Sequence, residues 1–580
     1  MPQQPDPRSF GSLLDLLDVA AERYGDKRQL ALRTDDGLEL PWSARELRHR
    51  ARLAAWRLRA LGLRPGDRLL TWSPSTPALP AVYFGAMYAG VVVVPLDLRM
   101  APDVLRRIAD SAGAEWLTIG TGFDAPDAQA GGLEHLNLRT VESLSADPPH
   151  QSAAGRDEGG IDDPFPADWE AQLDGWTRPG RETLFEVIYT SGTTGMPKGV
   201  MLGHGTILST LEAIAKILPP REHRTVSLLP ASHLFDQAPV LFFGLMIGAD
   251  ILYLRSRTPR IIFGALQEHR VTTMVVVPQL LQLFWNGLER EIRKQGKEKL
   301  FQRSRRVARL LPYWARRLLF RRIHRQLGGQ LRLFVSAAAF LPPSLQEAWQ
   351  DLGVIVLQGY GATECGPAAA TSETDHPTGT VGKTISPVKI RLEEKSGEIL
   401  VGGPTLLKGY WNDPDATAAV LTDGWYHTGD VGRLDERGNL VLMGRTRNII
   451  VLPNGLNVYP EDVENVLQEA GLAQAVVLET APGRIEAVVL SPDAPPMITP
   501  NNPAPEPPAT EAERKALHAR VDGMVKQANS RLGQHQRIDA WQLWPEPDFP
   551  RTHTLKIKRG EVRSRIAPDA APLPVHDADA

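Results

Sequence analysis

Between residues 189 and 199 the chain reads Tyr-Thr-Ser-Gly-Thr-Thr-Gly-Met-Pro-Lys-Gly, placing hydroxyls at Thr190, Ser191, Thr193 and Thr194 and an ammonium at Lys198 among glycines at 192, 195 and 199. Such a loop offers backbone N–H groups, hydroxyls and one cation to a polyphosphate, and its glycines allow the phosphate to approach closely. It is not a Walker A loop, because the lysine follows Pro197 and no Gly-Lys-Ser/Thr occurs. A kinase-like P-loop is therefore disfavoured. A short Gly/Ser/Thr cluster is usually an ordinary polar loop, but this ordered string is much longer than such a cluster. The single cysteine, Cys365, excludes disulfides within the chain and metal sites built from several cysteines.

The loop needs a rigid mount, and residues 184–190 alternate like a strand leading into it. Upstream, helical periodicity at 13–21 and 44–61 is followed by a strand-like stretch at 68–72. The apolar stretch 78–96 approaches membrane-span length, but Pro80, Gly90 and Pro95 divide it into a helix and a strand at 91–94. Strand and helix alternate, which implies an α/β architecture with largely parallel sheets. Residues 240–249 read as core, and 148–180 as a surface connection. Residues 290–325 are crowded with Lys and Arg, with leucines and Trp314 among them: a solvated helical insertion, or a basic amphipathic surface for anionic lipid. A compact strand-rich region begins near Arg445, and 492–510 is a Pro-rich loop within it. Lys and Arg total 65 against 68 Asp and Glu, so no charge excess announces nucleic acid as a partner. The N-terminus lacks a signal-peptide pattern, which makes the cytoplasm the expected location.

The string from Tyr189 to Gly199 resembles the adenylate-forming superfamily of acyl-CoA synthetases, peptide-synthetase adenylation domains and beetle luciferases, and the likeness recurs in order from about residue 13 to 565. Gly359-Tyr360-Gly361-Ala362-Thr363-Glu364 is similar to the family's nucleotide motif. The resemblance implies Tyr360 stacking on adenine, Thr363 bonding the α-phosphate and Glu364 holding magnesium through a hard carboxylate oxygen, with Thr193 as a further metal contact. Ser336-Ala337-Ala338-Ala339 resembles the small-residue segment lining the adenine and acyl pockets, where many relatives have glycine; Ala338 is the residue assigned there. His233, in Leu-Pro-Ala-Ser-His-Leu-Phe, falls near the family's acyl pocket, although a lone histidine is more often structural. Asp430, in Tyr-His-Thr-Gly-Asp, matches the aspartate that accepts from both ribose hydroxyls, and Arg445 the ribose-binding arginine. Arg447 stands at the hinge, where relatives carry Asp or Lys. Gly455 opens the loop that meets the thiol acceptor, in wording closest to bacterial long-chain acyl-CoA synthetases. Lys556 matches the catalytic lysine, preceded here by Leu555 where relatives often have glycine.

The resemblance implies an adenylation domain at 1–445, a smaller mobile α/β cap at 446–568 and a disordered tail at 569–580. It implies ATP and Mg2+ as cofactors, a carboxylic acid (a long-chain fatty acid by wording) activated as acyl-adenylate, and CoA as acceptor. Two alternatives stay open: transfer to a carrier protein's phosphopantetheine, and a binding protein that has lost catalysis. Retention of Lys556, Glu364 and Asp430 together argues against the latter. Cys365 is expected to be a bystander.

Overall fold

The computed structural model describes residues 4–34, 37–121, 125–147, 165–190, 197–218, 221–256, 258–453, 456–472, 474–494, 510–551 and 557–566. Its architecture is α/β, with a large N-terminal domain and a smaller C-terminal one. The first sheet has the strand order Asn137–Thr140, Trp116–Ile119, Arg68–Trp72, Val92–Pro95, Leu184–Thr190, Lys198–Gly203. All neighbours are parallel except the last pair. A second sheet runs Thr273–Val276, Leu333–Ser336, Ile355–Ala362 in parallel and then turns antiparallel through Gly366–Ala370 and Lys383–Thr384. Arg28–Thr34, Asp250–Leu254 and Arg224–Ser227 form a further parallel run, edged by Gly37–Ser43.

Local chemistry explains these elements. Valines at 91–94 are all buried, as expected of a parallel strand covered on both faces. The preceding helix, Ala78–Ala89, is buried at every position and stops at Gly90, whose φ of +71° suits glycine. The helix Ala44–Ala60 begins where the Ser43 hydroxyl accepts the Glu46 N–H at 3.1 Å. Residues 240–249 are core, as their apolar run implies.

Three features differ from the sequence-based expectation. Leu184–Thr190 is buried on both faces from Phe185 to Tyr189, because Ile188 packs into one core cluster while Val187 and Tyr189 pack into another, so the apparent alternation was misleading. Part of the supposed surface connection is packed: Trp169–Asp174 is helical, and Trp176 stacks on Trp56 with ring centroids 5.9 Å apart. The strands Lys389–Leu392, Glu398–Gly402, Leu421–Thr422, Trp425–Leu434 and Leu440–Arg445 form an antiparallel sheet that helix–strand alternation did not foretell.

The largest core cluster reaches Leu440, with Leu442 against it, and the C-terminal core begins at Ile450. There Ala475–Ala481, Arg484–Val489 and Ala540–Leu543 form a three-stranded sheet, covered by Pro460–Glu469 and Glu511–Asn529. Most of 492–510 and all of 569–580 lie outside the described residues. Among the described residues no helix is long and apolar enough to cross a membrane.

Candidate functional site

The site is built on a hairpin. Ile355–Ala362 leaves its parallel neighbour, turns at residues 363–365 and returns as Gly366–Ala370. Gly361 is required at this turn, because a Cβ there would lie 2.2 Å from the Gly366 carbonyl oxygen. The turn is pinned from outside: the Leu407 N–H donates to the Glu364 carbonyl and the Thr405 hydroxyl to the Cys365 carbonyl, each at 2.7 Å. The half-buried Thr363 is thereby set beside Glu364, which is only 9% exposed. Glu364 Oε1 accepts from the Thr190 and Tyr410 hydroxyls, both at 3.3 Å. Lys198 completes the group, with Nζ 5.1 Å from the Tyr410 ring centroid, within cation–π range. The two sheets thus bring Thr190, Lys198 and Glu364 together. Ser191, Gly192, Thr193, Thr194 and Gly195 lie outside the described residues.

The incoming arm of the hairpin carries a second cluster. The Tyr360 hydroxyl donates to Asp430 Oδ2 at 2.8 Å, and Arg445 Nε pairs with Oδ1 at 3.0 Å. Asp430 and Arg445 face each other across the antiparallel pair Trp425–Leu434 and Leu440–Arg445. Burial, and then the Asp430 charge, push the Tyr360 phenol well above its ordinary range, so it acts only as a neutral donor here. A carboxylate has about four lone-pair directions, so Asp430 retains capacity to accept from a diol. Gly359 precedes Tyr360 close to Ala337: a Cβ on Gly359 would lie 3.9 Å from the Ala337 Cβ. Ala338 is solvent-exposed and adopts φ +70°, a left-handed conformation unusual for alanine.

Arg447 lies in the short helix Thr446–Asn448, where the chain passes to the C-terminal domain. Burial first, then Arg445, lower its pKa, against the opposing pull of Asp430 and Glu461. It therefore feels acids from both domains. Gly455 and Lys556 lie outside the described residues.

His233 meets the segment that follows the interior strand Val92–Pro95, with Nε2 3.0 Å from Asp97 Oδ2. Asp97 is 1% exposed and also takes a two-pronged bond from Arg99, at 3.0 and 2.9 Å. Burial would raise the Asp97 carboxyl, but the bonds from His233 and Arg99 outweigh it and hold the group well below the usual carboxylate range. Asp97 is thus a fixed anion that orients the imidazole. Near it, Glu186 Oε1 accepts from Gln237 Nε2 at 2.7 Å, and the same nitrogen donates to the Ala231 carbonyl at 2.8 Å. Burial pushes Glu186 up to about 8, against the pull of Gln237. Gln237 also lines a cavity of about 10 Å³, room for roughly one water, with Thr76, Tyr83 and Asp236.

Sequence reasoning missed Asp97, Tyr410 and Glu186. For Asp97 and Tyr410 there was no local signal, since each meets its partner through a distant segment. Glu186 did carry one, as the sole acid in an otherwise apolar strand. Cys365 is buried, and burial pushes its thiol far up, in keeping with the expected bystander role.

Residues 17–411 match the model of the AMP-binding enzyme family. The chain is 28% identical to the long-chain-fatty-acid–CoA ligase FadD15 of Mycobacterium bovis, over 97% of this chain and 98% of that protein. It is 29% identical to a feruloyl-CoA synthase of Amycolatopsis sp, over 73% and 77% respectively. The O-succinylbenzoate Coenzyme A synthetase (MenE) from Bacillus subtilis, solved in complex with ATP and magnesium ion, shares the fold with a TM-score of 0.68 at 19% identity, over 94% of this chain and 99% of that one. A threonine hydroxyl on a buried glutamate, and an aspartate held between a tyrosine and an arginine, thus occur in a chain whose larger part matches one family model, and the chain belongs to the AMP-binding enzyme family.

Proposed function

We propose that this protein is an AMP-forming acid–thiol ligase: it activates a carboxylic acid with ATP, passes the acyl group to CoA, and takes a long-chain fatty acid as its acid. The observation that carries the proposal is the hairpin 355–370, which presents Glu364 to Thr190 and Lys198 on one side and Tyr360 to Asp430 and Arg445 on the other. That arrangement suits a nucleotide whose phosphates lie at Glu364 and whose ribose lies at Asp430. Two named relatives at 28–29% identity act on acids as different as long-chain fatty acids and ferulate, and the first matches over nearly the full length of both chains.

In the first half-reaction a carboxylate oxygen attacks the α-phosphorus, and the bond to the departing pyrophosphate breaks. Anion meets anion, so the site must supply positive charge and hold an in-line geometry. Lys198 and Lys556 are assigned to that charge, and Thr363 to the α-phosphate. Asp430, oriented by Tyr360 and Arg445, would fix the ribose. Among the described residues no group of three or more His, Cys, Asp or Glu is assembled to hold a metal. A single buried carboxylate beside a hydroxyl nevertheless fits Mg2+, which binds through one or two carboxylates plus substrate phosphates. Glu364, with Thr193, would hold the ion, which supplies charge neutralisation on the phosphates. In the second half-reaction the CoA sulfur attacks the acyl carbon and AMP leaves. The C-terminal domain would turn about Arg447, withdrawing Lys556 and presenting the Gly455 loop.

The test is exchange of labelled pyrophosphate into ATP across acids from acetate to long-chain fatty acids and ferulate, followed by CoA. The expected result is exchange strongest with long-chain acids and a thioester on adding CoA. Exchange without thioester would replace CoA by a carrier protein; a best acid of aromatic type would replace the fatty acid; no exchange with any acid would overturn the proposal.

A further inference from the structure

Residues 298–326 form three short helices, Glu298–Ala308, Tyr313–Leu319 and Arg321–Gln326, whose two faces are chemically opposite. The inner face is a built structure. Phe301 packs against Trp285 and Phe320 with ring centroids 6.0 and 5.9 Å apart, and Trp285 packs in turn on Trp349. Arg305 and Arg309 pair with Asp351, at 3.0 and 3.1 Å. Arg316 donates to the Gln350 carbonyl at 2.9 Å and Arg317 to the Gly329 carbonyl at 3.2 Å. Four arginines are therefore committed to holding the unit on the domain.

The outer face has no such explanation. Leu310 is 87% exposed and Trp314 68%, and with Leu318 they recur every fourth residue; Leu300 and Val307 are exposed on the preceding helix. No comparable run of large exposed apolar side chains occurs elsewhere among the described residues. Around them Arg303, Arg306, Arg321, Arg322 and Arg325 are exposed, and none makes an ion pair among the described residues. The whole segment carries ten lysines and arginines against one acid, Glu298.

We infer that this face docks on an anionic lipid bilayer. Leucines and a tryptophan enter the headgroup–acyl boundary, where an indole has both an apolar and a polar neighbour, while unpaired guanidinium groups meet lipid phosphates. Nucleic acid would satisfy the arginines but leave exposed leucines unused, so the mixed face fits a lipid surface better. Since Arg305, Arg309, Arg316 and Arg317 anchor the inner side, docking needs no refolding. The inference stands apart from the identity of the acid.

The experiment is co-sedimentation of the full-length protein with vesicles of phosphatidylcholine alone and of phosphatidylcholine containing about a third phosphatidylglycerol. Binding is expected to the anionic vesicles only, falling about tenfold between 0.1 and 0.5 M NaCl as the charges are screened. The double variants Leu310→Ser/Trp314→Ser and Arg321→Gln/Arg322→Gln should each lose about tenfold in binding, with unchanged thermal midpoint and unchanged turnover of a short water-soluble acid. No binding to anionic vesicles, equal binding to neutral ones, or wild-type binding by both variants would overturn the inference. So would tight capture of a DNA duplex that those arginine substitutions abolish while vesicle binding persists.

Discussion

At the scale of single residues, the site contains two departures from comfortable chemistry, and each gives a prediction. Ala338 holds φ +70°, which costs an L-residue with a Cβ roughly 1 kcal/mol or more relative to glycine. Ala338→Gly relieves that strain but loosens the unfolded chain, so a net stabilisation of about 0.5 kcal/mol is expected, seen as a higher urea midpoint at unchanged slope. A lower midpoint would show that the methyl group is held by contacts worth more than the strain. Glu186 is the second case. Its folded pKa of about 8 lies above the 4.5 of an ordinary glutamate, so the native state keeps a proton that the unfolded chain releases between those values. Its contribution is full below pH 4.5 and is lost as pH rises through about 8, amounting to at most about 5 kcal/mol. Glu186→Gln should flatten this dependence and raise the thermal midpoint relative to wild type at pH 9. Parallel pH profiles for the two proteins would contradict it.

Between elements, the C-terminal helix Arg559–Ile566 is tied to Pro460–Glu469 by a largely buried ion pair between Arg559 and Glu464, with Glu461 3.7 Å from the same guanidinium. Burial pushes Glu464 up to about 7 although Arg559 opposes the shift, so this carboxylate depends on its arginine to remain charged. Arg559→Leu should destabilise the C-terminal domain by about 2–4 kcal/mol, because it strands a buried acid. Limited proteolysis should then cut preferentially after residue 445, and undiminished resistance would count against the pair's importance. The same helix follows residues 552–556, so the variant should also lower the rate of the adenylation step. Element boundaries were legible where periodicity and punctuation agreed, as at Arg68–Trp72 and at Gly90. They were not where tertiary cover decided the pattern: Leu184–Thr190 reads as half-buried only until a core cluster is packed on each of its faces. Likewise Trp169 and Trp176 looked like residues of a surface connection, because the ring that orders them, Trp56, lies more than a hundred positions earlier.

For the whole molecule, the motifs were legible as strings because each is local: Tyr189 to Gly199, Gly359 to Glu364, Tyr426 to Asp430. Their convergence was not, since it depends on two sheets meeting at one hairpin. What the sequence could not supply were the partners that tune the motif residues, such as Tyr410 on Glu364 and Asp97 on His233, because contacts across the fold leave no spacing to read. If Glu364, Asp430 and Lys556 together perform acyl adenylation, the acid's own oxygen must end in the nucleotide. Incubating the protein with ATP, CoA and palmitate labelled with oxygen-18 in the carboxylate, then weighing the AMP by mass spectrometry, follows that oxygen directly. One labelled oxygen in AMP and none in pyrophosphate is the expected result. Label in inorganic phosphate alongside ADP, or AMP without label, would contradict attack at the α-phosphorus and with it the proposed chemistry of the site.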